Sequence, residues 1–293
     1  MTTDVHCLLD ARATLGECPV WSVEEQALYW VDTLGRSVNR FDHVTGANQS
    51  WRLPQDIGCC ALREGGGLVL GLRGGFHGFD PGSGALVPLR AVEADRPDVR
   101  LNDGRCDRRG RFWAGSVQVP PVPARPGGAL HRLDRDHRCD KVLDGLLIPN
   151  GLAFSPDDRT LYLSDSHPSR QTIWAFEFDA DEGRLGDRRI FATTWDLPGR
   201  PDGAAVDAEG FYWSAGIDGG QVVRFAPDGR IDRTVALPVS GPTMCAFGGP
   251  GLDVLFVTSM RPADVDGKVE PLAGGLFAFA AGVAGLPEPR YAG

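Results

Sequence analysis

A chain of 293 residues, 42% hydrophobic and 24% charged, has the composition of an ordinary soluble globular protein and can bury a large core. Its formal charge of −9, with 30 Lys and Arg residues dispersed and no basic run, excludes nucleic acid and anionic membrane as expected partners. No apolar stretch approaches a membrane span, and the start Met1-Thr-Thr-Asp-Val-His-Cys7 lacks a basic region and an apolar signal core, so a cytoplasmic protein is expected.

The first element, Val5 to Leu9, is apolar and belongs to no complete repeat. After it one pattern recurs six times: a short opening, an apolar strand near ten residues later, and a third strand that often ends in Asp. The openings are Glu17-Cys-Pro-Val-Trp21, Gly58-Cys-Cys-Ala-Leu62, Asn102-Asp-Gly-Arg-Cys106, Asn150-Gly-Leu-Ala-Phe154, Asp202-Gly-Ala-Ala-Val206 and Thr243-Met-Cys-Ala-Phe247. Second strands follow at Leu28–Asp32, Leu68–Leu72, Phe112–Ser116, Leu161–Asp165, Phe211–Ala215 and Leu255–Ser259. Third strands lie at Val38–Asp42, Phe76–Asp80, Ala129–Asp134, Ile173–Asp179, Val222–Asp228 and Gly275–Ala280.

A spacing of roughly forty to fifty residues per unit is that of one four-stranded propeller blade. The expected fold is therefore all-β, a six-bladed β-propeller of four-stranded antiparallel blades. Helix signals are nearly absent, and 39 Gly with 22 Pro suit many short strands and tight turns. A closed ring of blades is one cooperative unit, which predicts a single domain over residues 1–293. Val5 to Leu9 is expected to supply the outer strand of the blade containing Thr243 to Ala280, closing the ring and covering an open edge.

Two segments depart from the period. Val117 to Gly128 is rich in proline and too long for a hairpin, and it is expected over the channel mouth, either as a passive rigid loop or as a substrate-facing lid. Arg261 to Gly274 is a second long connection, with no role assigned. Glycine runs at 65–67, 74–75 and 248–251 lack the pattern and strand-to-helix context of a phosphate cradle and read as turns. The seven cysteines include no CxxC pair; Cys18, Cys59 or Cys60, Cys106 and Cys245 fall in the openings and read as small core residues.

Blades pack radially, so equivalent openings converge on one axis. Glu17, Asn102, Asn150 and Asp202 are the openings that carry oxygen donors. One Asn-Gly or Asp-Gly alone reads as a turn; three polar oxygen donors at matching positions of different repeats, with Glu17 as a fourth, point to a site. Carboxylate and amide oxygens without cysteine or paired histidines suit one hard divalent cation: Ca first, with Zn, Mn, Mg or Fe(II) also compatible. Open coordination positions would let such a cation polarise an ester-like carbonyl and activate water, with Asp202 as the general base. Arg100, two residues before Asn102, reads either as a donor fork for substrate oxygens or as half of a surface ion pair with its acidic neighbours. Asp103, one position further along the strand, is expected to turn from the axis and be structural.

The motifs Leu15-Gly-Glu-Cys-Pro-Val-Trp21, Arg100-Leu-Asn-Asp-Gly-Arg-Cys-Asp107, Ile148-Pro-Asn-Gly-Leu-Ala-Phe-Ser-Pro-Asp157 and Arg200-Pro-Asp-Gly-Ala-Ala-Val-Asp207 resemble those of the SMP-30/gluconolactonase/LRE, or regucalcin-like, family. The resemblance implies a six-bladed propeller that hydrolyses sugar-acid lactones with one divalent cation. It implies Glu17, Asn150 and Asp202 as metal ligands, Asp202 also as catalytic base, and Arg100 and Asn102 as substrate contacts. It further implies a sugar-binding glutamate where Val117-Gln-Val-Pro-Pro121 carries no acid, so the sugar bound is left open. The expected activity is a carboxylic-ester hydrolase, an aldonolactonase acting on gluconolactone or a pentonolactone such as arabinono- or xylonolactone. The expected assembly is a monomer or weak homo-oligomer. Two alternatives remain at this point: a non-catalytic calcium-binding or interaction propeller, and a phosphotriesterase-like hydrolase.

Overall fold

The computed structural model describes residues 3–261 and 270–293. Most of the Arg261 to Gly274 connection thus lies outside the described residues. Strand β1 (His6–Leu9) precedes the first blade, which comprises β2 (Gly16–Ser22), β3 (Ala27–Asp32), β4 (Ser37–Asp42) and β5 (Asn48–Arg52). The second comprises β6 (Ile57–Leu62), β7 (Leu68–Leu72), β8 (Gly75–Asp80) and β9 (Ala85–Ala91), and the third β10 (Val99–Cys106), β11 (Phe112–Gln118), β12 (Gly128–Leu133) and β13 (Cys139–Leu146). The fourth holds β14 (Pro149–Phe154), β15 (Thr160–Asp165), β16 (Thr172–Asp179) and β17 (Arg184–Thr193). The fifth holds β18 (Arg200–Val206), β19 (Tyr212–Ile217), β20 (Gln221–Phe225) and β21 (Ile231–Ala236), and the sixth β22 (Pro242–Gly248), β23 (Val254–Ser259) and β24 (Leu276–Ala280).

The result is six four-stranded antiparallel sheets in a ring, the six-bladed β-propeller expected from the repeat. The closing strand is also where the sequence places it, one residue shorter: β1 lies outside β24, with His6 opposite Ala278 and Cys7 opposite Phe277. No helix of the described residues is long and apolar enough to cross a membrane.

Burial follows position in the blade. The inner strands β6 and β14 and the second strands β3 and β19 are buried at every residue, whereas outer strands such as β9 and β21 are mostly exposed. Continuous apolar runs in the inner strands reflect burial on both faces. Every seam between blades is filled by an aromatic pair: Trp21–Phe256, Trp51–Phe79, Phe76–Phe112, Trp113–Phe154, Tyr162–Tyr212 and Trp213–Phe247, at centroid separations from 5.1 to 6.2 Å. Such pairs add about 0.5–1.5 kcal/mol each beyond the area they bury. The cysteines expected in the core are there, with Cys18, Cys59, Cys60, Cys106 and Cys245 all at or below 2% exposure.

Third-strand aspartates act as turn residues: Asp42 Oδ1 accepts the Thr45 amide at 2.8 Å and Asp80 Oδ1 accepts the Gly82 amide at 2.9 Å. In blades three and five a different aspartate ties the sheet together from within. Asp107 Oδ2 accepts from Trp113 Nε1 at 2.9 Å and Arg111 Nε at 2.6 Å, and Asp207 Oδ2 from Trp213 Nε1 at 2.8 Å and Arg224 Nε at 2.9 Å.

One irregularity repeats around the ring and positions the site. Each inner strand slips register near its start, between Glu17 and Val20, Ile57 and Cys59, Leu101 and Gly104, Asn150 and Ala153, Pro201 and Ala204, and Pro242 and Met244. A bulge re-aims side chains that strict alternation would send elsewhere. The two openings without a carboxylate or amide serve packing. A Cβ on Gly58 would lie 2.1 Å from the Leu101 carbonyl oxygen, so glycine is required for β10 to approach β6. Thr243 Oγ1 donates to the Gly16 carbonyl and joins the sixth blade to the first.

Candidate active site

The side chains at the openings form a hydrogen-bonded chain across three blades. Arg100 Nη1 donates to Asn102 Oδ1 at 2.7 Å, Asn102 Nδ2 to Asn150 Oδ1 at 2.7 Å, and Asn150 Nδ2 to Ser166 Oγ at 2.7 Å. Ser166 Oγ donates onward to the Pro201 carbonyl, next to Asp202. This chain orients the Asn150 amide: its nitrogen faces Ser166, and its oxygen, holding one hydrogen bond, keeps a second lone pair for another partner.

The strand ends supply the frame. Asp32 Oδ2 and Oδ1 accept the Thr14 and Leu15 amides at 2.9 and 3.0 Å, fixing the segment that delivers Glu17. Asp165 repeats this in the fourth blade, accepting the Leu147 and Ile148 amides at 2.9 Å each and fixing the segment that delivers Asn150. Both aspartates end second strands visible in the sequence, so their recurrence was a readable signal of support for the openings. Arg200 supports Asp202 from two residues away, donating to Asp218 Oδ2 at 3.1 Å and to the Ser166 carbonyl at 2.9 Å. After Asn150 the chain needs glycine for a separate reason: Gly151 has φ +61°, and a Cβ there would meet Tyr212 Oη at 2.2 Å. The turn role and the site role of Asn-Gly thus coexist.

Asp202 is 3% exposed and Asn150 5%. Burial first, then the Asp202 charge, pushes the Glu17 carboxyl well above its usual range. Burial likewise raises Asp202, against the opposing pull of Arg200. Among the described residues neither carboxylate accepts a hydrogen bond. Two acids raised chiefly by burial and without a hydrogen-bond donor among the described residues, together with an amide oxygen that keeps a spare lone pair, have the chemistry of hard-oxygen ligands.

Asp103 differs from simple alternation. The bulge between Leu101 and Gly104 keeps it 5% exposed, with Oδ2 accepting the Leu152 amide at 2.9 Å, and its charge adds to the raising of both Glu17 and Asp202. Its structural role is visible in that bond, but its side chain stays inside the ring beside the site. Residues the sequence did not single out are Ser166, Asp32, Asp165, Arg200 and Asp218 around the mouth, and Arg105 with Glu288 at the far end. The Pro-rich loop joins β11 to β12 at the mouth, its ends held by Val119 N to Asp98 O at 2.8 Å and Arg96 Nη1 to Gly127 O at 3.0 Å.

The opposite end is covered by the C-terminal segment. Its backbone bonds to the fifth, second and third blades through Ala208 N–Ala284 O at 2.9 Å, Tyr291 N–Leu62 O at 2.8 Å and Ala292 N–Gly110 O at 3.0 Å. Arg105, 8% exposed, pairs with Glu288 there and donates to the Leu152 and Ala204 carbonyls at 3.0 and 2.7 Å.

Fold and site together define a class: a six-bladed propeller with an oxygen-rich polar site at one end of its channel and a strap of its own chain across the other. A family model described as the SMP-30/Gluconolactonase/LRE-like region matches residues 15–261, and the chain belongs to that family. It is 40% identical to a 6-deoxy-6-sulfogluconolactonase of Pseudomonas putida, the match covering 100% of both chains. It is 36% identical to regucalcin of Xenopus laevis, covering 99% of this chain and 98% of that one. A crystal structure described as a calcium-binding protein, regucalcin, from Agrobacterium tumefaciens matches with a TM-score of 0.93 at 26% identity, covering 99% of this chain and 98% of that one.

Proposed function

We propose that this protein is a cytoplasmic, metal-dependent lactonase that opens a sugar-acid lactone to its aldonic acid. The observation that carries the reading is the pair of carboxyls of Glu17 and Asp202, raised by burial and without a hydrogen-bond donor among the described residues, together with the chain Arg100–Asn102–Asn150–Ser166. Family membership supports it, as do the relatives named for a sulfogluconolactonase and for regucalcin.

Glu17, Asn150 and Asp202 would hold one divalent cation, for which calcium is the first expectation, with Zn, Mn, Mg or Fe(II) compatible. Bound there, the cation supplies Lewis-acid polarisation of the lactone carbonyl and a lowered pKa for water. Asp202 takes a proton of the attacking water as the water oxygen adds to the carbonyl carbon; the ring C–O bond then breaks as that proton passes from Asp202 to the departing ring oxygen. Arg100 directs its unused N–H groups to substrate oxygens, and Asn102 holds both Arg100 and the Asn150 oxygen in place. The reaction is tested with gluconolactone and pentonolactones by acid release, with and without a chelator. Release that stops on chelation and returns with added cation is expected; no release from any lactone favours a binding propeller.

The two raised carboxyls give this reading a pH dependence. In the cation-free protein they hold protons that the unfolded chain has released, because their folded-state pKa values lie above the unfolded value of about 4. Their contribution is therefore most favourable below about pH 4 and is lost as pH rises through the raised folded values. A ligated cation removes that loss, so the gain in Tm on adding saturating calcium is expected to be larger at pH 8 than at pH 5. A gain that does not change with pH would count against carboxylate ligation.

A further inference from the structure

The mouth is not electrically uniform. On the side formed by blades one to three, three arginines face a single carboxylate. Arg36 lies in the turn between β3 and β4, Arg73 in the turn between β7 and β8, and Arg100 at the start of β10; Asp56 lies just ahead of β6. Register places all four at the end of the blades where the inner strands open, since Asp32 pairs with both Gly16 and Ser37, and Leu72 with both Ile57 and Gly75.

Asp56 is already shared by two of the guanidinium groups. Arg36 Nε donates to Oδ1 at 3.0 Å and Arg73 Nη2 to Oδ2 at 2.8 Å, and together these hold the carboxyl below its usual range despite its burial. Arg73 Nη1 also donates to the Pro97 carbonyl at 2.5 Å. Among the described residues Arg100 has no carboxylate partner, and its bonds to the Leu101 carbonyl at 3.0 Å and Asn102 Oδ1 at 2.7 Å both use Nη1. Two other acids of the segment ahead of β10 are engaged elsewhere: Asp98 Oδ2 accepts from Gln118 Nε2 at 2.8 Å, and Glu93 pairs with Arg96 at 2.7 Å and with His131 at 3.3 Å, while Asp95 is exposed.

Three guanidinium groups around the one carboxylate of Asp56 make this patch basic in a chain whose formal charge is −9. The side chains remain reachable: Arg36 is 52% and Arg73 33% exposed. The charges of Glu17, Asp56 and Arg73 all act on the Arg100 guanidinium, which ties this cluster electrostatically to the proposed centre. Arg73, bonded to the carbonyl of Pro97 three residues ahead of Arg100, brings the cluster close to Arg100. The stretch Val117-Gln-Val-Pro-Pro121 adds no opposing acid.

We propose that Arg36, Arg73 and Arg100 form a subsite for an anionic substituent on the lactone, a sulfonate, phosphate or carboxylate on the carbon farthest from the ring carbonyl. Planar guanidinium forks bind all three groups through paired, charge-assisted hydrogen bonds. The inference rests on the lactonase reading and narrows its substrate to acidic lactones.

Initial rates are measured for glucono-1,5-lactone and its 6-phospho and 6-deoxy-6-sulfo analogues with the wild-type protein, Arg73→Met and Arg36→Met. Calorimetry of the corresponding aldonic acids supplies a binding readout independent of turnover. The wild type is expected to favour the charged lactones in kcat/KM by about ten- to a hundredfold, the effect of one or two hydrogen bonds between charged groups. Each variant should pull that ratio toward one, and salt raised to about 0.5 M should do the same in the wild type. The ratio is the diagnostic, because a folding defect lowers both rates together. Turnover without preference for the charged lactones, or a preference that survives both variants, overturns the subsite and leaves the lactonase. Arginine-dependent binding of the charged acids without turnover of any lactone overturns the lactonase and leaves the anion site.

Discussion

Asp202→Ala is expected to yield a folded protein whose lactone turnover falls by about three to four orders of magnitude, because one substitution removes a cation ligand and the general base together. Asp202 sits 3% exposed at the bulge between Pro201 and Ala204, and among the described residues no hydrogen bond ties its carboxylate to the fold. Its removal therefore deletes a buried, raised carboxyl without breaking a hydrogen bond among the described residues, so stability should hold or rise in the cation-free protein. Asp202→Asn separates the two functions: the amide keeps an oxygen for the cation but accepts no proton. Rate measurements with circular dichroism as the folding control decide the matter, and an Asp202→Ala protein that turns over like the wild type refutes the assignment.

The second large effect lies at the other end of the channel and concerns stability. Glu288→Ala is expected to lower the free energy of unfolding by about 3–5 kcal/mol, the usual consequence of leaving one member of a buried ion pair without its partner. Burial by itself would favour loss of the Arg105 proton, but the adjacent Glu288 charge outweighs it and the guanidinium is held charged above its ordinary value. Arg105 also binds carbonyls of β14 and β18, so one side chain links the inner strands of three blades to the C-terminal segment. Urea titration gives the number. A loss below about 1 kcal/mol would show that the strap contributes little to holding the ring, whereas Arg105→Met combined with Glu288→Met should recover much of the loss by replacing the pair with apolar volume.

Particular residues show where sequence reading succeeds. The period of the openings places Glu17, Asn102, Asn150 and Asp202 at equivalent positions without any knowledge of contacts, because a strand that opens a blade carries the same pattern wherever it stands in the ring. The match of Val5 to Leu9 with an unfinished last repeat likewise yields the closing strand, found as β1 beside β24. Asp103 shows where it stops. A rule of alternation turns it away from Asn102, and a bulge invisible in composition or period holds both in the interior, bonded to the neighbouring β14.

What the sequence determined by itself is repetition: six units, their strand order, their buried faces and the residue types at each opening, all of which follow from patterns within some fifty residues. Tertiary structure decided which of those residues touch. The bond from Asn102 to Asn150 spans 48 positions, that from Ser166 to Pro201 spans 35, and the pairing of Arg105 with Glu288 spans 183. Such contacts arise only when radial packing closes the ring, since their partners share no local pattern and meet through the geometry of neighbouring blades. The arginine cluster at the mouth has the same origin, being assembled from turns of separate blades that the linear chain keeps apart.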